Sequence, residues 1–304
     1  MNLARKIFEA NHLFNLIQKG DKILVAFSGG VDSVVLSYLL YRLKDVFGIE
    51  IGLSHFNHHL REDSDEDEAF CVDFAKSLNI PIYVGGADIK ALKGNKEEMA
   101  RKKRYEFLQK TAKEKGFNKI ATAHHLDDLV ETMLLWFVRG GGLKGLSGFR
   151  AFQGNIIRPL ITTTKEEIRA FAKEQNLSWK EDYTNYDETI SRNLIRHRVI
   201  PLLKSINPNL LHTVFQESLI LQEEEDFLES YTKSIINSID VFDVKSLKNQ
   251  PKAIQRRIVR KVFNTKTFQK TELVLKLLEN KKRIKLSRDK ILEVSNGKLV
   301  VKNL

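Results

Sequence analysis

A single cysteine, Cys71, stands among 304 residues. It excludes an intramolecular disulfide. It also excludes a zinc site or an iron–sulfur cluster built on several thiolates. Long apolar runs are missing too: none exceeds six residues, against the roughly 20 that a membrane-spanning helix needs. The opening stretch MNLARKIFEANHLF is broken by charges and holds no apolar h-region. No signal peptide, no membrane partner and a cytoplasmic location are therefore expected. There is no internal repeat and no low-complexity tract. Apolar residues at 42% supply too much core-forming material for a mainly disordered chain. The length suits roughly two domains of about 150 residues each, enough to bury a core.

The charge is unevenly placed. The last 57 residues, from Lys248 onward, hold 17 Lys and Arg against 4 Asp and Glu, while residues 1–247 hold 33 against 35. The net +11 of the chain thus lives in its last fifth. Such asymmetry points to a polyanion, nucleic acid before membrane; a well-solvated basic domain is the plainer alternative.

The first two-thirds alternates short apolar runs with helical spacing. Residues 22–27, 49–56, 81–86 and 118–125 read as strands. Residues 32–47, 62–79, 95–116, 126–140 and 164–176 read as helices. That alternation predicts an α/β fold with a doubly wound, mainly parallel sheet, in which ligands bind at the carboxyl ends of the strands. Residues 140–160 are glycine-rich and read as an ordered loop or a lid. Residues 207–239 read as one long helix. The expected division is a domain at 1–205, a helical linker at 206–239 and a small basic domain at 240–304.

The strongest local pattern is KILVAFSGGVDS at 22–33, a strand, a glycine turn and a helix. Backbone N–H groups of such a turn at a helix N-terminus cradle an anion. Ser28 and Ser33 add hydroxyls, and Gly29 and Gly30 admit close approach of phosphate. Asp32 does not favour phosphate directly, so it works through Mg²⁺ or orients the loop. The lysine of a Walker A loop and the spacing of a dinucleotide fingerprint are both absent. After the second strand comes His55-Phe56-Asn57-His58-His59-Leu60-Arg61, readable as a site or as a surface histidine cluster. Glu97 to Tyr105 places Arg101 and Arg104 on one helical face, either a phosphate clamp or a solvated surface. At 121–132, Asp128 and Thr132 share a helical face, as do Asp127 and Glu131. Asp127 reads equally well as a helix cap; Asp128 is taken as the working carboxylate, for Mg²⁺ or as a base.

The loop resembles the pyrophosphate-binding loop of the N-type ATP pyrophosphatases. The remaining motifs resemble one branch of them, the tRNA(Ile)-lysidine synthetases, in a short form. The likeness runs through HxNHxLR at 55–61, ExxARxxRY at 97–105 and ATAHHxxDxxET at 121–132. It continues through the glycine loop at 139–148, RPL at 158–160, and WKEDYTN with SRNLIRH at 179–197. Tyr183 stands where the family has proline. The resemblance implies ATP and L-lysine as substrates, Mg²⁺, and a tRNA(Ile) with a CAU anticodon. It implies adenylation of the wobble cytidine, then displacement of AMP by lysine. It implies ATP binding by Ser28, Gly29, Gly30, Val31, Asp32, Ser33 and His55, with Asp32 toward the metal. It implies catalytic roles for Asp32, Arg104 and Asp128. Arg192, Arg196 and Arg198, and the cluster Lys281, Lys282 and Arg283, are expected to bind tRNA phosphates. The alternative is a 2-thiocytidine-forming thiolase with the same loop. The oligomeric state is left open, a homodimer included.

Overall fold

The structure, a computed structural model, describes residues 3–58, 64–87, 96–181, 188–265, 267–279, 283–287 and 289–303. Lys281 and Lys282 lie outside the described residues, as do positions 59–61 and 182–185 of the motifs and the side chain of Glu97. The chain divides into two units, Met1–Ile220 and Leu221–Leu304.

The first unit is built on β1 (Lys22–Ala26), whose Ile23, Leu24 and Val25 are fully buried. A strand covered on both faces must be apolar throughout, which is why KILVA shows no alternation. Beside it run β2 (Glu50–Asn57), β3 (Ile82–Gly86) and β4 (Lys119–Ala121), then β5 (Phe152–Gln153) and β6 (Ile156–Ile157). The sheet order is β3-β2-β1-β4-β6-β5, with β5 antiparallel at the edge and every other pairing parallel. The doubly wound sheet is thereby observed. The chain leaves β1 for β2 on one side and reaches β4 on the other. The carboxyl ends of β1 and β4 therefore flank a topological switch point, where open α/β sheets bind ligands.

Helices α2 (Val31–Phe47), α3 (Ser64–Ser77), α4 (Lys96–Lys115) and α5 (Leu126–Arg139) follow successive strands, and α7 (Lys165–Glu174) packs beside α2. Thr164 starts α7 with a capping box: its hydroxyl accepts the Glu167 N–H, and Glu167 accepts the Thr164 N–H at 2.8 Å. Helix α1 (Leu3–Phe14), outside the sequence reading, buries Leu3, Ile7 and Ala10 at helical spacing. Among the described residues no helix is long and apolar enough to cross a membrane.

The glycine-rich stretch is packed rather than loose. A short helix, α6 (Gly142–Leu146), lies on α5, where Gly141 and Gly145 face the Trp136 side chain at contact distance. Gly148 adopts φ +68°, and a Cβ there would meet Leu129 Cδ1 at 2.5 Å. Downstream, α8 (Ser191–Leu194) runs into a π-helical turn, Ile195–Val199, then α9 (Ile200–Ile206) and α10 (Leu210–Ser238).

The second unit holds α11 (Val244–Lys248), α12 (Lys252–Phe263), α13 (Phe268–Glu279) and an antiparallel sheet β7 (Arg283–Lys285), β8 (Lys290–Ser295) and β9 (Lys298–Asn303). Its core joins Ile254, Ile258, Val274, Leu278, Leu292 and Leu299. Asn296 and Gly297 both take positive φ and close the β8–β9 hairpin, as a two-residue primed turn requires. Part of the basic surplus is spent internally: Arg257 pairs with Glu225 at 2.5 Å, Arg256 with Glu272 at 2.7 Å, and Lys261 with Glu229.

Gly148→Ala is expected to cost about 2 kcal/mol, because it combines a left-handed backbone with overpacking against a buried leucine. Urea unfolding checks this; an unchanged midpoint would show that the loop relaxes freely.

Candidate active site

The turn after β1 is shaped by its own hydroxyls. The Ser28 N–H donates to Ser33 Oγ at 3.2 Å, and Ser33 Oγ donates to the Gly30 carbonyl at 2.9 Å. Ser28 Oγ lies 3.1 Å from Ser33 Oγ. Gly29 takes φ +81°, and a Cβ there would sit 3.1 Å from Cys71 Sγ. Gly30 begins α2 with no side-chain cap. The first-turn N–H groups of a helix have no intrahelical acceptor, so they face the crevice as anion donors.

A cleft of about 880 Å³ opens there, lined by Ser28, Gly30, Val31, Asp32, His125, Asp127, Asp128, Glu131, Lys165 and Arg196, among others. Lys165 Nζ lies 2.7 Å from both oxygens of Asp32. Nothing in the helical spacing of 164–176 singled out this lysine. One signal was available: a cation at the first position of a helix opposes its dipole, so it needs carboxylates brought from elsewhere. Asp32 supplies one. Asp127 supplies the other, accepting the Lys165 backbone N–H at 2.8 Å.

Of the two neighbouring aspartates, the cap falls to the one not read as a cap. Asp128, not Asp127, closes the N-terminus of α5, accepting the His125 N–H at 3.1 Å; Asp127 instead ties α5 to the start of α7. The physical reason is position: Asp128 is the third helical residue, from which a carboxylate reaches back to the cap. Asp128 also meets Arg192 at 3.2 Å, His125 Nε2 at 3.4 Å and Arg196 at 3.7 Å. Burial alone would raise its pKa; His125, Arg192 and the backbone N–H outweigh it and hold the carboxyl well below the usual range. A carboxylate so strongly held ionised is a poor proton acceptor.

His125 is the hub. It is 3% exposed, and Asp128, Asp127 and Asp32 all lie within 3.8 Å of its ring nitrogens. Burial opposes protonation, but the three carboxylates together raise its pKa above the ordinary imidazole value.

Glu131 is fully buried and is gripped by Arg192 Nε at 2.7 Å and Arg196 Nε at 2.6 Å. The two arginines expected to reach tRNA phosphates are therefore engaged on α5, each keeping about a third of its side chain exposed (33% and 30%). Arg198 pairs with Glu188 at 3.0 Å on the surface. His55 is buried behind the turn, its Nδ1 3.0 Å from the Phe27 carbonyl oxygen and 3.3 Å from Cys71 Sγ, and does not line the cleft. Burial pushes the Cys71 thiol up to about 12, so it is an inert packing group. Arg104 also lies outside the cleft, its guanidinium 5.8 Å from the Tyr105 ring. Arg283 is exposed on β7.

Among the described residues, no cluster of three or more His, Cys, Asp and Glu could hold a metal alone. Asp32 beside the anion turn suits a cation that brings phosphate ligands of its own, the usual habit of Mg²⁺.

The folded state binds the His125 proton more tightly than the unfolded chain does. Its stabilisation is complete below about pH 6.5 and is lost as pH rises through the raised value. The unfolding free-energy gap between the protein and His125→Gln is expected to shrink from pH 6 to pH 9. A gap constant across that range would contradict a charged hub.

Comparison with known proteins gives this geometry a lineage. Residues 2–203 match the PP-loop domain family, and residues 236–301 match the TilS-like substrate binding domain. The tRNA(Ile)-lysidine synthase of Persephonella marina is 40% identical over 301 residues, covering 94% of this chain and 66% of that protein. That of Petrotoga mobilis is 38% identical over 224 residues, covering 72% of each. That of Caldanaerobacter subterraneus is 36% identical, and the chain spans only 59% of its length. Among solved structures, the U34-tRNA thiolase NcsA from Methanococcus maripaludis superposes with a TM-score of 0.62 at 17% identity, over 72% of this chain and 77% of that one. At that identity the likeness speaks for the fold alone. The chain belongs to the PP-loop family and, within it, to the tRNA(Ile)-lysidine synthases.

Proposed function

We propose that this chain joins L-lysine to C2 of the wobble cytidine in a tRNA(Ile) with a CAU anticodon, using ATP. In the first step the cytidine O2 attacks the α-phosphorus, the bond to the β-phosphate breaks, and pyrophosphate leaves. In the second the neutral lysine ε-amine attacks C2, the C2–O bond breaks, and AMP departs with that oxygen while the amine gives up a proton. The observation that carries the reading is the cradle of Ser28 to Ser33, opening at the switch point into a cleft where carboxylates and cations alternate.

Each group has a part that its geometry supports. Helix-terminal N–H groups of Val31, Asp32 and Ser33 receive phosphate oxygens. Lys165 and Arg196 face the negative charge that builds as pyrophosphate leaves. Asp32 is the residue that would hold Mg²⁺, which would supply Lewis-acid stabilisation of phosphate charge. Asp128 and Asp127 hold cationic groups in place rather than take protons, since both carboxyls lie below their usual range. We place the reaction in the cytoplasm. We assign 1–205 to the catalytic domain, 206–239 to a connecting helix and 240–304 to tRNA binding. On β7 the pattern exposed–buried–exposed turns Arg283 and Lys285 to solvent on one face. A thiolase reading has no cysteine partner for Cys71 to work with.

The test is incorporation of labelled lysine into transcribed CAU-bearing tRNA(Ile) with ATP and Mg²⁺, beside a tRNA(Met) control. Label in tRNA(Ile) alone supports the proposal; AMP formation with no label in either would overturn the substrate. Asp128→Asn is expected to abolish incorporation while leaving tRNA affinity nearly intact, and wild-type turnover in that variant would remove Asp128 from the chemistry. Neutralising Lys281, Lys282 and Arg283 to glutamine is expected to weaken tRNA binding and to flatten its salt dependence by about one unit of slope for each phosphate no longer neutralised. An unchanged slope would show that the cluster faces elsewhere.

A further inference from the structure

A second charged cluster lies at the same edge of the sheet, outside the cleft. Arg158 follows the end of β6, and Arg101 and Arg104 sit in the first half of α4. None of the three lines the cleft. Tyr105 is their common neighbour. The Arg101 and Arg104 guanidinium carbons lie 5.2 and 5.8 Å from its ring centroid, and the Tyr105 hydroxyl also acts on the charge of Arg158.

Arg158 is 5% exposed. Its guanidinium lies 5.1 Å from the Phe149 ring centroid, and its Nη1 donates to the Arg150 carbonyl at 2.6 Å. Its Nε is buried with no hydrogen-bond partner, and so is Nδ1 of His58 nearby. Among the described residues no carboxylate pairs with Arg101, Arg104 or Arg158. Burial, and then the charge of Arg101, lowers the pKa of both Arg104 and Arg158, with Tyr105 opposing. Burial, then Arg104, pushes His58 down to about 4, so it is a neutral imidazole that adds no charge of its own.

A buried guanidinium with an idle donor and like-charged neighbours is costly unless an anion completes it. We propose that Arg158, with Arg101 and Arg104, is a built receptor for one backbone phosphodiester of the RNA substrate, beside the nucleotide being modified. The choice of RNA over ATP follows from the separation of the two sites: the phosphate cradle of the cleft is complete with Ser28–Ser33, Lys165 and Arg196, and none of these three arginines reaches it. Tyr105 and Phe149, whose faces carry the guanidiniums, also suit an unstacked strand, for which aromatic and guanidinium planes are the usual seats. The inference rests on the RNA-substrate reading above.

The experiment measures a 17-nucleotide CAU anticodon stem-loop by fluorescence anisotropy across a salt series, with ATP affinity measured in parallel by calorimetry. Arg158→Met is expected to weaken stem-loop binding about tenfold and to make the salt slope shallower by about 0.7 to 1, with ATP affinity changed less than about twofold. Arg101 is exposed, so Arg101→Gln keeps the test open if Arg158→Met fails to fold; a smaller loss with the same change of slope is expected. Unchanged stem-loop affinity and slope in both variants would overturn the receptor. Loss of ATP affinity with stem-loop binding intact would make the anion a nucleotide phosphate and overturn the RNA assignment. If the unaltered protein fails to bind the stem-loop, the RNA reading itself falls, a result distinct from either of these.

Discussion

A carboxylate with no exposed surface, Glu131, is the constraint on which the site depends. Two arginines reach it from 61 and 65 residues further along the chain. A carboxylate out of water is costly unless it is paired and hydrogen-bonded, and the two arginines together meet that need. The contact therefore fixes where the segment 191–199 lies against α5. The π-helical turn at Ile195–Val199 belongs to the same arrangement: Arg192 and Arg196, either side of its start, close on one glutamate, and turns of this kind gather at functional sites. With that segment held, Arg196 enters the cleft and Asp128 acquires its second and third cationic neighbours.

Around this anchor the cleft is a lattice of opposite charges rather than a pocket of one sign. Asp32 is met by Lys165, Asp128 by His125 and Arg192, and Asp127 by His125 and the Lys165 backbone. Each carboxylate thus faces a donor, and Lys165 and His125 lie within 3.8 Å of Asp32 in the anion turn. On the proposed reading, a triphosphate would enter such a lattice by exchange of partners, Lys165 passing from Asp32 to phosphate. The same logic explains why Asp128 is a holder of cations and a weak base.

Much of this was legible in the sequence, because local signals carry strands, helices and turns. The apolar run within 22–27, the SGGVDS turn and the helical spacing of 164–176 each settle a piece of backbone through neighbours only a few residues away. What escaped was of two kinds. Some patterns were local but unread: the apolar spacing of Leu3, Ile7 and Ala10, and the Asn296–Gly297 pair that closes a hairpin. Others depended on partners far away in the chain. Lys165 finds Asp32 across 133 residues, and Arg192 and Arg196 looked like a free basic patch because their partner, Glu131, lies on another helix. The cap formed by Asp128 is of the first kind, a contact three residues long, whereas the tie from Asp127 to Lys165 depends on where α7 begins relative to α5.

The central claim is that the turn at Ser28–Ser33 and the charge lattice beside it form the ATP site. A crystal structure with Mg²⁺ and a non-hydrolysable ATP analogue tests it most directly. The account predicts phosphate oxygens on the N-terminal N–H groups of α2, the Lys165 ammonium moved from Asp32 onto phosphate, and Arg192 and Arg196 still on Glu131. Triphosphate bound away from that turn, with the Lys165–Asp32 pair intact, would contradict it.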